Sequence, residues 1–194
     1  MQGIIRGVVL PSELSISDAE LTARVGRPTS ASDADVSRAI SEILKVCAMQ
    51  FVATRIEIKS IDDGRVSFDG FFVQSGALAR YFEGCRETFM FMATLGMDAD
   101  RLIARKRALS ITDGCLYDAV ASAIIEAVCD VAEERIHPGI SVRNRFCPGY
   151  ADCSLEVQRS FMELLSADKY IGIKLLDSML MLPWKSVSAF IAII

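Results

Sequence analysis

The sequence contains one histidine, His137, and six cysteines without a single Cys-x-x-Cys pair. A tetrahedral zinc site would therefore have to gather ligands from distant segments. One histidine also argues against the usual Ser-His-Asp or Cys-His catalysis, because His137 precedes Pro138-Gly139 at an apparent helix end, where a solvated or capping role is expected. A basic excess is missing as well. The net charge is −4 and the sequence pI about 5.1, which excludes non-specific nucleic-acid binding by counterion displacement. No glycine-rich loop follows a first strand, so a nucleotide-binding α/β methyltransferase is disfavoured. Uncharged runs such as the one around Leu180–Trp184 are too short or too broken for a bilayer span, which needs about 20 apolar residues. The start, Met1–Gly7, lacks the apolar stretch of a secretory signal. The cysteines (Cys47, Cys85, Cys115, Cys129, Cys147, Cys153) are thus expected as reduced thiols in a cytoplasmic protein.

What is abundant is apolar. Hydrophobic residues make up 52% of the 194 and charged residues 24%, with a mean hydropathy of +0.34. A chain of this length hides roughly 70% of its unfolded surface on folding, so one domain over residues 1–194 is expected. No repeat or long linker divides it. The apolar surplus must enter a core, a ligand cleft or a partner surface.

Periodicity predicts the elements. After the punctuation Gly26–Ser30, Ser32-Asp33 reads as the cap of a helix over 33–49, with Val36, Ile40, Ile43, Leu44 and Cys47 on one face. Phe51–Ile58 reads as a strand, and Asp62-Asp63-Gly64 as the turn of a hairpin to Arg65–Phe71. A short helix over 76–82 precedes the apolar run Glu87–Thr94, short enough to be a buried strand. Helices follow over 98–108, over 112–136 with Thr112-Asp113 as cap, and over 154–165. The long helix carries an apolar stripe of Leu116, Val120, Ile124, Val128 and Val131. Residues 171–175 and 186–194 read as strands. Helices and hairpins mix without regular βαβ alternation, which predicts an α+β fold with a largely antiparallel sheet flanked by helices.

Three segments stand out, each with an ordinary reading beside a functional one. Val142–Cys153 sets Pro148-Gly149-Tyr150 between two cysteines, after a cluster of arginines and before a helix. Gly149 permits close approach, Pro148 stiffens the chain and Arg145 is suited to grip a carboxylate; the alternative is a surface loop. Met179–Ser188 is methionine-rich ahead of Pro183-Trp184 and fits either a cleft wall or core. Ser122, Glu126, Asp130 and Glu133 lie three or four residues apart on the long helix, which unaided describes a solvated face.

Together these segments resemble a known family. Arg-Phe-Cys-Pro-Gly-Tyr-Ala-Asp-Cys (145–153) is similar to the Arg-x-x-Pro-Gly-Tyr-x-x-Cys signature of the activation domain of cobalamin-dependent methionine synthase. Gly172–Ser178 and Met181–Ser188 resemble that domain's Gly-x-Lys-Leu-x-Glu-Ser and Met-x-Pro-x-x-Ser-Val-Ser segments, in the same order and at similar spacing. The helix 126–136, with Glu134-Arg135, also matches a helix upstream of the signature. Phe146 and Cys147 stand where the family often has proline and alanine. Residues 1–80 carry little similarity.

The resemblance implies a shallow cleft for S-adenosylmethionine, whose methyl group meets a cobalamin carried by a partner protein. There, oxidised cob(II)alamin would be reduced by a flavodoxin-like donor and remethylated. It implies that Arg145 holds the methionine carboxylate, Glu126 answers the cationic amino end, and Cys147 with its neighbours gives main-chain contacts. Tyr150 would face the cobalamin, as the catalytic candidate, with the methionines around Met179 beside it. Gly149, Lys174 and Ser186 complete the expected ligand-binding set, with no metal ligand. An N-terminal carboxylate is left among Glu83, Glu87, Asp98 and Asp100. The expected partner is a cobalamin-binding methyltransferase, or a methionine synthase without its own activation domain. The alternative is a docking protein that binds a corrinoid protein without S-adenosylmethionine. The chain's end at Ile194, soon after the Ser-Val-Ser strand, is expected to bear on ligand binding, since the longer domain adds a tyrosine there.

Overall fold

The computed structural model describes residues 3–16 and 32–194; the predicted punctuation at Gly26–Ser30 lies outside them. A four-stranded antiparallel sheet organises the chain, in the order β1 (Ile5–Val8), β2 (Gln50–Glu57), β6 (Glu87–Thr94), β9 (Ser186–Ala192). Strands β6 and β9 are largely buried on both faces, which is why they read as apolar runs instead of alternating ones. Alternate residues serve two cores. Phe51, Ala53, Phe89, Phe91, Ala93, Ala189 and Ile191 face a helical layer. Val52, Met90, Met92, Phe190 and Ala192 face the opposite layer.

The helical layer holds α1 (Asp33–Val46), α3 (Met97–Leu109) and the 26-residue α4 (Ile111–Ile136). Ser32 caps α1 as expected, accepting from the Asp35 N–H. For α4 the cap is Ser110, not Thr112-Asp113: its hydroxyl accepts from Asp113 N–H, so the helix begins at Ile111. The α3–α4 corner is tight enough that a Cβ on Gly114 would lie 2.5 Å from the Arg107 Cβ. The other layer holds α2 (Gly76–Tyr81), α5 (Gln158–Leu165) and α6 (Ala167–Ile171), with a small sheet of β3 (Ser60–Asp62), β4 (Arg65–Ser67) and β5 (Phe72–Gln74). Phe161, Phe82 and Phe68 crowd around Phe190 there, at ring separations of 4.8 to 5.7 Å.

Two predicted elements are corrected. The Asp62-Asp63-Gly64 turn exists, but it joins β3 to β4; the Phe51–Ile58 strand pairs instead with β1 and β6. Turn chemistry is local, whereas the choice of partner strand is not. Residues 171–175 are not one strand: Ile171 ends α6, Gly172 takes a positive φ of 69°, and only β7 (Lys174–Leu175) pairs, with β8 (Met181–Leu182). The antiparallel α+β expectation stands. Among the described residues no helix is long and apolar enough to cross a membrane.

Candidate functional site

Beyond β9, residues 142–146 run antiparallel along the sheet's outer edge. Phe146 and Phe190 exchange N–H···O=C bonds of 2.9 Å, and Val142 bridges Ile193. Val142 and Phe146 are four residues apart, their partners only three. The extra residue is a bulge, a device that redirects side chains at a strand edge. Here it sends two arginines of one short segment to opposite layers.

Arg143 turns towards α2. Its guanidinium donates to the carbonyls of Tyr81 (2.5 Å) and Glu83 (2.8 Å) at that helix's C-terminal end, where a cation is favoured. At the other end of α2 the Asp152 carboxylate accepts from the Ser75 hydroxyl (2.6 Å) and from Gly76 N–H (2.7 Å). These bonds, with that from Ala77 N–H, hold the Asp152 carboxyl below its ordinary range. The Tyr81 hydroxyl donates to the Asn144 carbonyl (2.8 Å) and accepts from Ala192 N–H (2.9 Å). Burial pushes its pKa up to about 12. The signature segment is therefore fastened to α2 at both helix ends.

Between the fasteners lies the Pro-Gly-Tyr turn. Tyr150 N–H donates to the Cys147 carbonyl (3.2 Å), and Gly149 N–H to the Cys153 carbonyl (2.8 Å). Gly149 has φ +89°, a conformation that calls for glycine, and a Cβ there would also press on Leu155 Cδ2 at 2.9 Å. Phe146 is buried beneath and meets the Tyr150 ring edge-on at 5.6 Å, leaving Tyr150 67% exposed.

Arg145 turns towards α4 and meets its polar face. It donates to Glu126 (2.8 Å), to Asp130 (3.0 Å) and, most closely, to Glu133. The guanidinium is only 19% exposed and Glu133 16%, whereas Asp130 is 56% exposed. The stretch read as a solvated face is thus half of an ion network, since the partner lies outside the helix and no helical periodicity reveals it. Burial pushes the Glu133 carboxyl up, against the pull of Arg145. Cys147 adjoins the group: the atoms packed around its thiol, and then the Glu126 carboxylate, push the thiol up.

Of the solvated or capping role expected for His137, capping is what the structure shows: its backbone N–H donates to the Glu133 carbonyl at the end of α4. The ring is not solvated; it turns inward, towards Phe89, and its Nε2 is buried without a hydrogen-bond partner among the described residues.

The structure brings together Glu126, Arg145, Cys147, Gly149 and Tyr150, but sets other expected residues apart. Lys174 is exposed in a separate depression with Arg159, Glu163 and Asp168. The Ser186 hydroxyl is occupied by the Pro183 carbonyl (2.7 Å) and the Thr94 hydroxyl (2.9 Å). Met179 is buried in the β7–β8 turn and offers no open cleft wall, whereas Leu180 beside it and Trp184 beyond β8 are exposed. Asp130 and Glu133 are site residues that sequence reading had not assigned to Arg145. Their spacing after Glu126 on one helix face was the available signal.

Residues 130–193 match the family model of the vitamin B12 dependent methionine synthase, activation domain. That stretch includes the signature and β9, and begins just after Glu126. The fold is similar to the crystal structure of the MetH reactivation domain bound to AdoHcy, with a TM-score of 0.69 and 17% identity, covering 98% of this chain and 78% of that one. No curated protein matches by sequence. The resemblance read from the motifs is borne out, and with it the fold.

Proposed function

We propose that this chain is a reactivation subunit for a cobalamin-dependent methionine synthase or related corrinoid methyltransferase, presenting S-adenosylmethionine to a cobalamin held by a partner protein. The observation that carries this reading is the meeting of Arg145 with Glu126, Asp130 and Glu133 beside the Pro-Gly-Tyr turn. One guanidinium among three carboxylates leaves two negative charges in excess. S-adenosylmethionine offers a sulfonium, an ammonium and one carboxylate, so the donor set fits the ligand. Arg145 would take its carboxylate in place of the exposed Asp130, and Glu126 its ammonium. Gly149 and the Cys147 main chain allow close approach. Tyr150, exposed on a buried Phe146, would lie against the corrin.

The ligand supplies an electrophilic methyl group; the chain's own part is to position it and exclude water, with no general base required. The single histidine is then no obstacle. A cytoplasmic setting and a flavodoxin-like electron donor belong to the same proposal.

Isothermal titration with S-adenosylmethionine tests it. Heat is expected for the native chain, and binding weaker by at least about tenfold in Glu126→Gln, the scale of one lost charge-assisted hydrogen bond. No heat at millimolar ligand, with or without a corrinoid partner, sinks the reading. The saturation of Arg145 by three carboxylates also favours a second reading, a docking protein that binds a corrinoid protein and no S-adenosylmethionine. In that case a pull-down of the partner survives Arg145→Ala, whereas the first reading predicts lost reactivation.

A further inference from the structure

The polar face of α4 continues past the Arg145 group. One turn before Glu126, the Ser122 hydroxyl accepts from the Lys185 ammonium at 2.9 Å, and Asp118, another turn back, pairs with it at 3.0 Å. Beside that pair opens a cavity of about 510 Å³, walled by Met97, Asp100, Arg101, Arg107, Asp118, Trp184 and Lys185. None of Glu126, Asp130, Glu133 or Arg145 lines it. Its volume lies within the range of small-molecule pockets, about 300 to 1,000 Å³.

Trp184, the only tryptophan of the chain, is 61% exposed at this cavity. Its backbone is held in place. The Asp100 Oδ2 accepts from Trp184 N–H at 2.6 Å, and the next carbonyl, that of Lys185, accepts from Leu95 N–H at 2.9 Å. An exposed indole on a held backbone presents a flat face on which a ring can stack. The neighbouring cations are incompletely matched. Arg107 reaches Asp118 only at 3.7 Å, longer than a hydrogen bond, and shares it with Lys185. Among the described residues Arg101 pairs with the exposed Asp98 on its own helix, a type of pair that contributes little. Asp100, the other carboxylate in the wall, is committed to the backbone of Trp184 through Oδ2, while its Oδ1 is buried without a hydrogen-bond partner among the described residues.

We propose that this cavity is a second binding site, for a mononucleotide-class ligand whose heteroaromatic ring stacks on Trp184 and whose phosphate is held by Arg101 and Arg107. A guanidinium matches the oxygens of a phosphate with its planar fork, and both arginines line the cavity. Met97 flanks the ring. The inference does not rest on the S-adenosylmethionine reading, because the two sites share no side chain.

Trp184 is its own reporter. Titration of the full chain with AMP, read by tryptophan fluorescence, is expected to give a saturable change. Affinity should fall at least about tenfold in the Arg101→Ala/Arg107→Ala double variant, the loss of about 1.4 kcal/mol or more of binding free energy. Both side chains are exposed, and circular dichroism checks that the variant folds. Adenosine and inorganic phosphate are each expected to bind more weakly than AMP, and Glu126→Gln to leave AMP binding unchanged. The proposal is overturned by no saturable response at millimolar AMP, or by equal affinity in the double variant. Displacement of AMP by S-adenosylmethionine also overturns it, since the cavity would then belong to the site around Arg145.

Discussion

Arg143 and Arg145 are two residues apart in one edge segment, yet they do different work. Arg143 donates to carbonyl oxygens at the end of α2, partners that do not titrate. Arg145 donates to three carboxylates of α4, more negative charge than it can neutralise. A bulge of one residue separates the two fates. One arginine fastens the signature segment to its scaffold whatever the pH. The other builds a charged centre whose balance changes with protonation, with ligand and with any substitution among its partners.

The largest effect is expected from Arg145→Ala. Glu133 and Glu126 would be left facing each other with little solvent, and removing one partner of a largely buried pair costs about 3 kcal/mol. Urea unfolding measures it; a loss below that of Arg143→Ala would make the comparison fail. Arg143→Ala itself should cost less, about 1 to 2 kcal/mol, because the freed carbonyls at the end of α2 can turn to water. Its loss should be the same at pH 5 and pH 8, whereas that of Arg145→Ala should grow as its carboxylates ionise.

Asp152→Asn should lower the thermal midpoint less than either arginine substitution. The Asp152 carboxyl is held below its ordinary range by Ser75 and the first N–H groups of α2. Its stabilising effect is therefore present above the usual carboxyl range and lost as pH falls through the lowered folded value. Native and variant midpoints should converge in acid. If their gap stays constant down to that range, the helix-end bonds are not what the charge of Asp152 contributes.

How much of this was legible in sequence follows from the range of each interaction. Glu87–Thr94 was read with the observed bounds because burial on both faces writes a local apolar run. The Ser32 cap was legible for the same reason, since cap and N–H lie three residues apart. The pairing of β2 with β6 was not, because strand choice depends on residues thirty or more positions away. Arg145 and Glu126 were each singled out, but their contact spans nineteen positions and turns on a bulge that no pattern announces. Trp184 was read within an apolar segment. Only the fold shows that it stays exposed, beside cations contributed by α3.

The smallest and sharpest test of the two-arginine contrast is Glu133→Gln. Burial raises the Glu133 carboxyl above its ordinary value of 4.5, despite Arg145. A carboxyl whose folded pKa is raised binds its proton more tightly in the folded state. Its favourable contribution is thus fully present below the unfolded value and is lost as pH rises through the folded one. Glutamine holds the neutral form at every pH and leaves Arg145 with Glu126 and Asp130. The variant should therefore be at least as stable as the native chain at pH 8, with a midpoint that declines less between pH 4.5 and neutrality. A thermal scan across that interval decides it: a variant markedly less stable at pH 8 would mean that Arg145 needs the third carboxylate, and that the excess negative charge is structural instead of reserved for a cationic ligand.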